Sequence, residues 1–136
     1  MIANYLKQNI DQNIERTEKY THFQDLRYGE NPHQTASVYL RNTNPYSILK
    51  SELLHGKQLS YNNIKDADSA INIIAEFEKP TVVALKHMNP CGVASSHDIN
   101  QAFDGAYESD TKSIFGGIIS FNREVDKKLA LKMNKI

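Results

Sequence analysis

The apolar positions of this chain recur in two rhythms, one of about four residues and one of short unbroken runs. Ala67, Ala70, Ile71, Ile74 and Phe77 follow the i, i+3, i+4, i+7 spacing of a helix face, which predicts a helix starting at Asp66 or just before it and ended by Pro80. Ile99, Ala102, Phe103, Ala106 and Tyr107 give a second helix, with Asp98 as its cap and Gln101 three residues on in a capping-box-like pattern. A third opens at Asp126 and carries Leu129, Ala130, Met133 and Ile136. Strands are predicted where the runs are short: Ala36-Ser37-Val38-Tyr39-Leu40, Thr81-Val82-Val83-Ala84 continuing to Lys86, and Gly117-Ile118-Ile119-Ser120-Phe121. Asn42-Thr43-Asn44-Pro45 reads as a turn, and residues 51–55 fit neither rhythm. At the N-terminal end Ile2, Leu6, Ile10 and Ile14 line one stripe of an amphipathic helix. The order helix, strand, helix, strand, helix predicts an α/β fold.

Composition narrows the partners. The 136 residues suffice for one domain, since domains commonly run to about 100–150 residues. Sixteen basic and sixteen acidic side chains cancel, so neither nucleic acid nor an anionic membrane is drawn to the chain as a whole, and any phosphate affinity must be local. No apolar run approaches the roughly 20 residues of a membrane helix, and the first residues lack the pattern of a signal peptide, so a cytoplasmic protein is expected. A single cysteine without a second cysteine or a close pair of histidines argues against a zinc site, and no metal is expected.

Candidate chemistry concentrates in Leu85-Lys86-His87-Met88-Asn89-Pro90-Cys91-Gly92, directly after the most apolar strand. Open α/β sheets bind ligands beyond the carboxyl ends of their strands, and Asn89-Pro90 predicts an early turn there. An imidazole exchanges protons near neutral pH while an ammonium keeps its charge, so Lys86 and His87 could divide base and charge-stabilising roles. Cys91-Gly92 would let backbone approach closely. In the punctuated stretch Leu26-Arg27-Tyr28-Gly29-Glu30-Asn31-Pro32-His33-Gln34, the Arg27 guanidinium suits a phosphate and Tyr28 adds a flat face and a hydroxyl. Gly56-Lys57-Gln58-Leu59-Ser60-Tyr61-Asn62-Asn63 reads as a polar loop whose Lys57, Asn62 and Asn63 are further candidates, and Gly116-Gly117 precedes the last strand. Each piece alone is more often a solvated loop or a bend than a site.

Together these stretches, with Phe115-Gly116-Gly117-Ile118-Ile119-Ser120-Phe121-Asn122-Arg123, resemble in order and spacing the AICAR transformylase part of the bifunctional transformylase/IMP cyclohydrolase family, over roughly residues 20–136. The resemblance implies a three-layer α/β/α sheet subdomain of the cytidine-deaminase-like kind, truncated. Residues 1–19 would be the end of the cyclohydrolase domain and its linker helix, and 20–136 the N-terminal portion of the transformylase domain. It implies formyl transfer from 10-formyltetrahydrofolate, the co-substrate, to the 5-amino group of the nucleotide AICAR in IMP biosynthesis. His87 would be the base and Lys86 the charge stabiliser. Arg27 and Tyr28 would hold the phosphoribosyl end, Asn89 and Gly116 would contact the heterocycle or the formyl group, and Lys57 and Asn62 would lie near the substrate. The family enzyme is a homodimer whose folate pocket lies in its later half, so the 136 residues are expected to be an incomplete piece, inactive alone. Two other readings stay open. One is a non-catalytic nucleotide-binding fragment. The other is a thiol enzyme in which Cys91, at the start of a helical segment, is activated by His87.

Overall fold

The computed structural model describes residues 17–41 and 47–135. The N-terminal stripe, the turn expected at residues 42–45 and Ile136 lie outside the described residues.

Strand β3, Thr81–Lys86, organises the fold. It is the centre of a three-stranded sheet of order β4-β3-β5, with β4 spanning Asn89–Ser95 and β5 Ile118–Phe121, and it runs antiparallel to both neighbours. Its residues 81–85 are fully buried because both faces are covered. Val83 and Leu85 pack on Ala70 and Ile74 of helix α1, Tyr61–Ile74. Val82 packs with Ile99, Ala102, Phe103 and Ala106 of helix α2, Ile99–Ser109, and with Leu129 of helix α3, Lys127–Met133. Alternate residues of one strand thus serve opposite helical layers, as the period-two geometry of a strand requires. The α/β class and its three-layer arrangement stand. The chain leaves β4 through α2 and returns on the far side of β3 as β5, so the two outer strands run parallel to each other.

Several local expectations are corrected. Helix α1 begins five residues before Asp66, because Ser60 caps it: its hydroxyl accepts the Asn63 amide at 3.3 Å while the Asn63 carboxamide reaches back to the Ser60 N–H at 3.4 Å. The supposed polar loop 60–63 is therefore the first turn of a helix. Phe77 lies past the helix end and is exposed. The turn after β3 is His87-Met88 rather than Asn89-Pro90, and Asn89-Pro90 instead opens β4, an edge strand where a proline's missing N–H is tolerated. Of the stripe on the last helix, Leu129 is wholly buried, Met133 half-buried and Ala130 exposed. Asp98 and Asp126 cap α2 and α3 as expected, the carboxylate of Asp126 accepting the Leu129 amide at 2.7 Å, and this bond holds its carboxyl below the usual carboxylate range. The Gln101 side chain, however, accepts from the Ser96 hydroxyl.

A second, two-stranded ribbon pairs β1, Thr21–Leu26, with β2, Ala36–Leu40. Strand β1 has no clear alternation and was not expected from the sequence.

The end of β3 opposite Lys86 is clamped by Asn122. Its Oδ1 accepts the Thr81 amide at 2.7 Å, and its Nδ2 donates to the carbonyls of Phe77 and Lys79 at 3.0 and 2.7 Å. Thr81 is fully buried, so removing its acceptor strands a polar group. Asn122→Ala is expected to cost about 1–3 kcal/mol, read as a lower urea midpoint at unchanged slope. A midpoint equal to the parent's would show that the clamp contributes nothing.

Candidate active site

The β1–β2 connection carries Arg27 and Tyr28, and its shape comes from Gln34. The Gly29 amide donates to the Gln34 carbonyl at 2.8 Å, and the Gln34 side chain accepts the Asn31 amide at 2.8 Å. Closed on itself in this way, the loop presents Arg27 and Tyr28 to a cleft of about 550 Å³ that Lys57, Gln58, Ser60 and Asn63 also line. The Arg27 guanidinium lies 5.1 Å from the centre of the Tyr28 ring, a stacking distance. Among the described residues, no carboxylate lies within ion-pair distance of Arg27 or Lys57. The first turn of α1 forms part of the wall, and a helix N-terminus favours negative charge. Asp25 also borders the cleft, and hydrogen bonds from Ser37 and then His22 hold its carboxyl below the usual carboxylate range. Two cations without acidic partners beside a helix N-terminus make a cleft suited to an anion such as a phosphate. Asn62 is exposed and does not line it, whereas Asn63 does.

Lys86, His87, Asn89 and Gly116 form a second group at the tip of the β3–β4 hairpin. Lys86 pairs with Asn89, leaving His87 and Met88 as a two-residue turn with φ of 53° and 62°. Both are in the left-handed region, the geometry that two-residue hairpins favour and that normally selects Asn or Gly. Here neither is, and both side chains are exposed. Lys86 donates from Nζ to the Phe115 carbonyl at 3.1 Å. That carbonyl is near because Gly117, just before β5, lies close against β3: a Cβ on Gly117 would meet the Leu85 carbonyl oxygen at 2.8 Å. Gly116, with φ of 71°, faces open space, leaving backbone accessible beside Lys86. The Asn89 amide donates to the His87 carbonyl at 2.9 Å, so its Nδ2 holds the turn.

Helix α1 joins the two groups. Its first turn lines the cleft, Lys65 lies 3.7 Å from Glu30 of the Arg27 loop, and Asp66 accepts the Met88 amide at 2.9 Å. Asp66 was read from the sequence only as a helix start, so its contact with the turn was missed.

Cys91 is not at a helix start. It is the extra residue of a β-bulge in β4, since Ala84 pairs with Gly92 and Leu85 with Pro90, and its half-buried thiol lies 3.5 Å from the Ala84 carbonyl. The thiol reading thereby loses the helix terminus that would have favoured a thiolate. Gly92 admits backbone closely, but that backbone is the protein's own α2.

The model of the AICARFT/IMPCHase bienzyme family matches residues 1–136. The chain belongs to that family. It is 53% identical over 139 residues to the bifunctional purine biosynthesis protein PurH of Shouchella clausii, and 52% identical to the PurH proteins of Bacillus cereus and Lactococcus lactis subsp. cremoris over 142 and 141 residues. Each match covers 100% of this chain and 27% of the relative. The chain thus spans about a quarter of the length of these family members. No helix among the described residues is long and apolar enough to cross a membrane.

Proposed function

We propose that these residues supply the nucleotide anchor and the proton-accepting turn of an enzyme that transfers a formyl group from 10-formyltetrahydrofolate to the 5-amino group of AICAR. The observation that carries the reading is the pair of cations Arg27 and Lys57, which have no carboxylate within ion-pair distance among the described residues, in a cleft tied through one helix to the Lys86-His87 tip. The phosphate enters the cleft, with the Arg27 fork taking two of its oxygens. The amine is a poor nucleophile because its lone pair is shared with the heterocycle, so it gains from a base that removes its proton during attack. His87 takes that proton. As the C–N bond forms, the formyl oxygen becomes negative, and the Lys86 ammonium stabilises it. The tetrahydrofolate nitrogen then leaves with a proton, giving formyl-AICAR and tetrahydrofolate. Gly116 offers backbone to the heterocycle.

The folate pocket and the remaining nucleotide contacts belong, on this reading, to the further length that the relatives possess, in a cytoplasmic homodimer that also carries the cyclohydrolase activity. The 136 residues alone bind AICAR weakly and do not turn it over. The test is a chimaera in which this chain replaces the matching stretch of Shouchella clausii PurH, assayed for formyl-AICAR with both substrates. Product from the chimaera and none from the isolated chain is expected, and a chimaera that binds AICAR without turnover would sink the proposal.

Arg27→Ala in the chimaera is expected to weaken AICAR binding by roughly ten- to a hundred-fold, the worth of a charge-assisted bond of about 1.5–3 kcal/mol. Arg27→Lys should recover only part of this, since a point charge cannot form the fork. Equal loss for the nucleoside lacking phosphate would remove Arg27 from the phosphate site.

A further inference from the structure

The Met88 amide is the exceptional group of the hairpin tip. In a two-residue hairpin the flanking residues pair with each other, while the N–H of the second turn residue has no partner within the hairpin. Here Asp66, from the middle of α1, accepts that N–H at 2.9 Å. Asn89 secures the other side by donating to the His87 carbonyl at 2.9 Å. The turn needs both contacts, because His87 and Met88 carry Cβ atoms in a left-handed conformation that disfavours them.

Asp66 also stands in a telling place. It lies three residues beyond Asn63, which lines the cleft of Arg27 and Lys57, and three residues of α-helix advance about 4.5 Å. One rigid element therefore fixes the anchor for the substrate's anionic end and the position of the His87 backbone. Met88 also borders a cleft with Ile64, Lys65, Ser69 and Asn72 of the same helix.

We infer that Asp66 is a positioning residue for the formyl transfer: by holding the Met88 amide it keeps the His87-Met88 turn left-handed, and so sets where the His87 imidazole meets the amine of a nucleotide anchored at Arg27. The inference rests on the function proposed above. Asp66 touches neither substrate nor reacting atoms. Its effect passes through the turn, and misplacing a reacting group by about 1 Å can cost on the order of a hundred-fold in rate.

The test uses the chimaera with four variants: Asp66→Ala, Asp66→Asn, Met88→Gly, and Asp66→Ala combined with Met88→Gly. Asp66→Ala should lower kcat by on the order of 10- to 100-fold with little change in the KM for AICAR, because the Arg27 cleft is untouched. Asp66→Asn keeps an acceptor oxygen and should retain most of kcat. Adding Met88→Gly to Asp66→Ala should restore much of the loss, because glycine takes the left-handed conformation without a Cβ penalty. That rescue separates positioning from a general contribution to the stability of α1, which a glycine in the turn would not repair. A parent chimaera without formyl transfer overturns the functional reading and the inference with it. A parent that turns over, with Asp66→Ala equally fast, or with a loss that neither asparagine avoids nor glycine restores, overturns the inference alone.

Discussion

His87→Ala in the chimaera is expected to slow formyl transfer by about 100- to 10,000-fold, the usual contribution of a general base, while AICAR affinity changes by no more than a few-fold. The separation follows from the layout. On the proposed function the nucleotide is anchored in the cleft lined by Arg27, Tyr28 and Lys57, while His87 stands on a different element, the β3–β4 tip. Removing its imidazole takes a proton acceptor from the transition state and little from the ground state, so kcat falls and KM does not. Single-turnover formylation measured beside equilibrium AICAR binding reads the two terms separately. Unchanged turnover would remove His87 from the mechanism. Cys91→Ser is the contrasting variant, expected to keep most of the activity because Cys91 is a bulge residue in β4. Its inactivation would return the thiol to consideration.

What was legible in the sequence and what was not have a common physical cause: hydrophobic pattern reports burial, and it does not report direction. Thr81-Val82-Val83-Ala84-Leu85 is continuously apolar apart from a threonine; it is a strand, as read, and it is covered on both faces. Such runs are typical of parallel sheets, but any strand between two helical layers needs them, and this one is antiparallel to both neighbours. The candidate site was thus placed at the carboxyl end of the strand by a rule for parallel sheets that does not hold for this antiparallel one. The turn was displaced by two residues for a similar reason. Asn89-Pro90 carries strong turn chemistry, whereas His87-Met88 carries none, and its left-handed backbone is held by contacts from Asp66 and Asn89 that only the tertiary structure supplies. The capping box at Ser60 was visible, but asparagine stands where the usual pattern has Glu or Gln. Strand β1 escaped notice because its residues are mostly exposed and do not alternate. Lys86, His87, Arg27, Tyr28 and Lys57 were singled out as candidates because they stand in contiguous motifs. Asp66 was not, since what distinguishes it is a contact with a residue 22 positions away.

Gly92→Ala is expected to be the most damaging single methyl group that can be added to this fold. Gly92 is buried in β4, and a Cβ there would lie 2.1 Å from the carbonyl oxygen of Ala106 and 3.0 Å from its carbonyl carbon, both backbone atoms of α2. A flexible side chain could swing aside, but a helix backbone can yield only by moving the whole helix. That helix carries Phe103, which is 1% exposed and stacked with Phe121 at 6.2 Å, so its displacement would open the core on the side of Val82 and Leu129. Overpacking usually costs about 1–3 kcal/mol, and with backbone as the obstacle the upper end or more is expected, a fall of on the order of 10 °C in Tm. Two other glycines separate space from conformation. Gly116→Ala meets no atom within 4 Å but must hold φ at 71°, which should cost about 1–2 kcal/mol. Gly105→Ala meets only the Ala94 side chain, at 3.0 Å, and should be milder than Gly92→Ala. Thermal and urea unfolding of the three variants should therefore rank Gly92→Ala as the least stable. If it instead unfolds at the parent's midpoint, α2 does not press on β4 at this distance, and the packing that ties the β3–β4 hairpin to the core on that face would have to be redrawn.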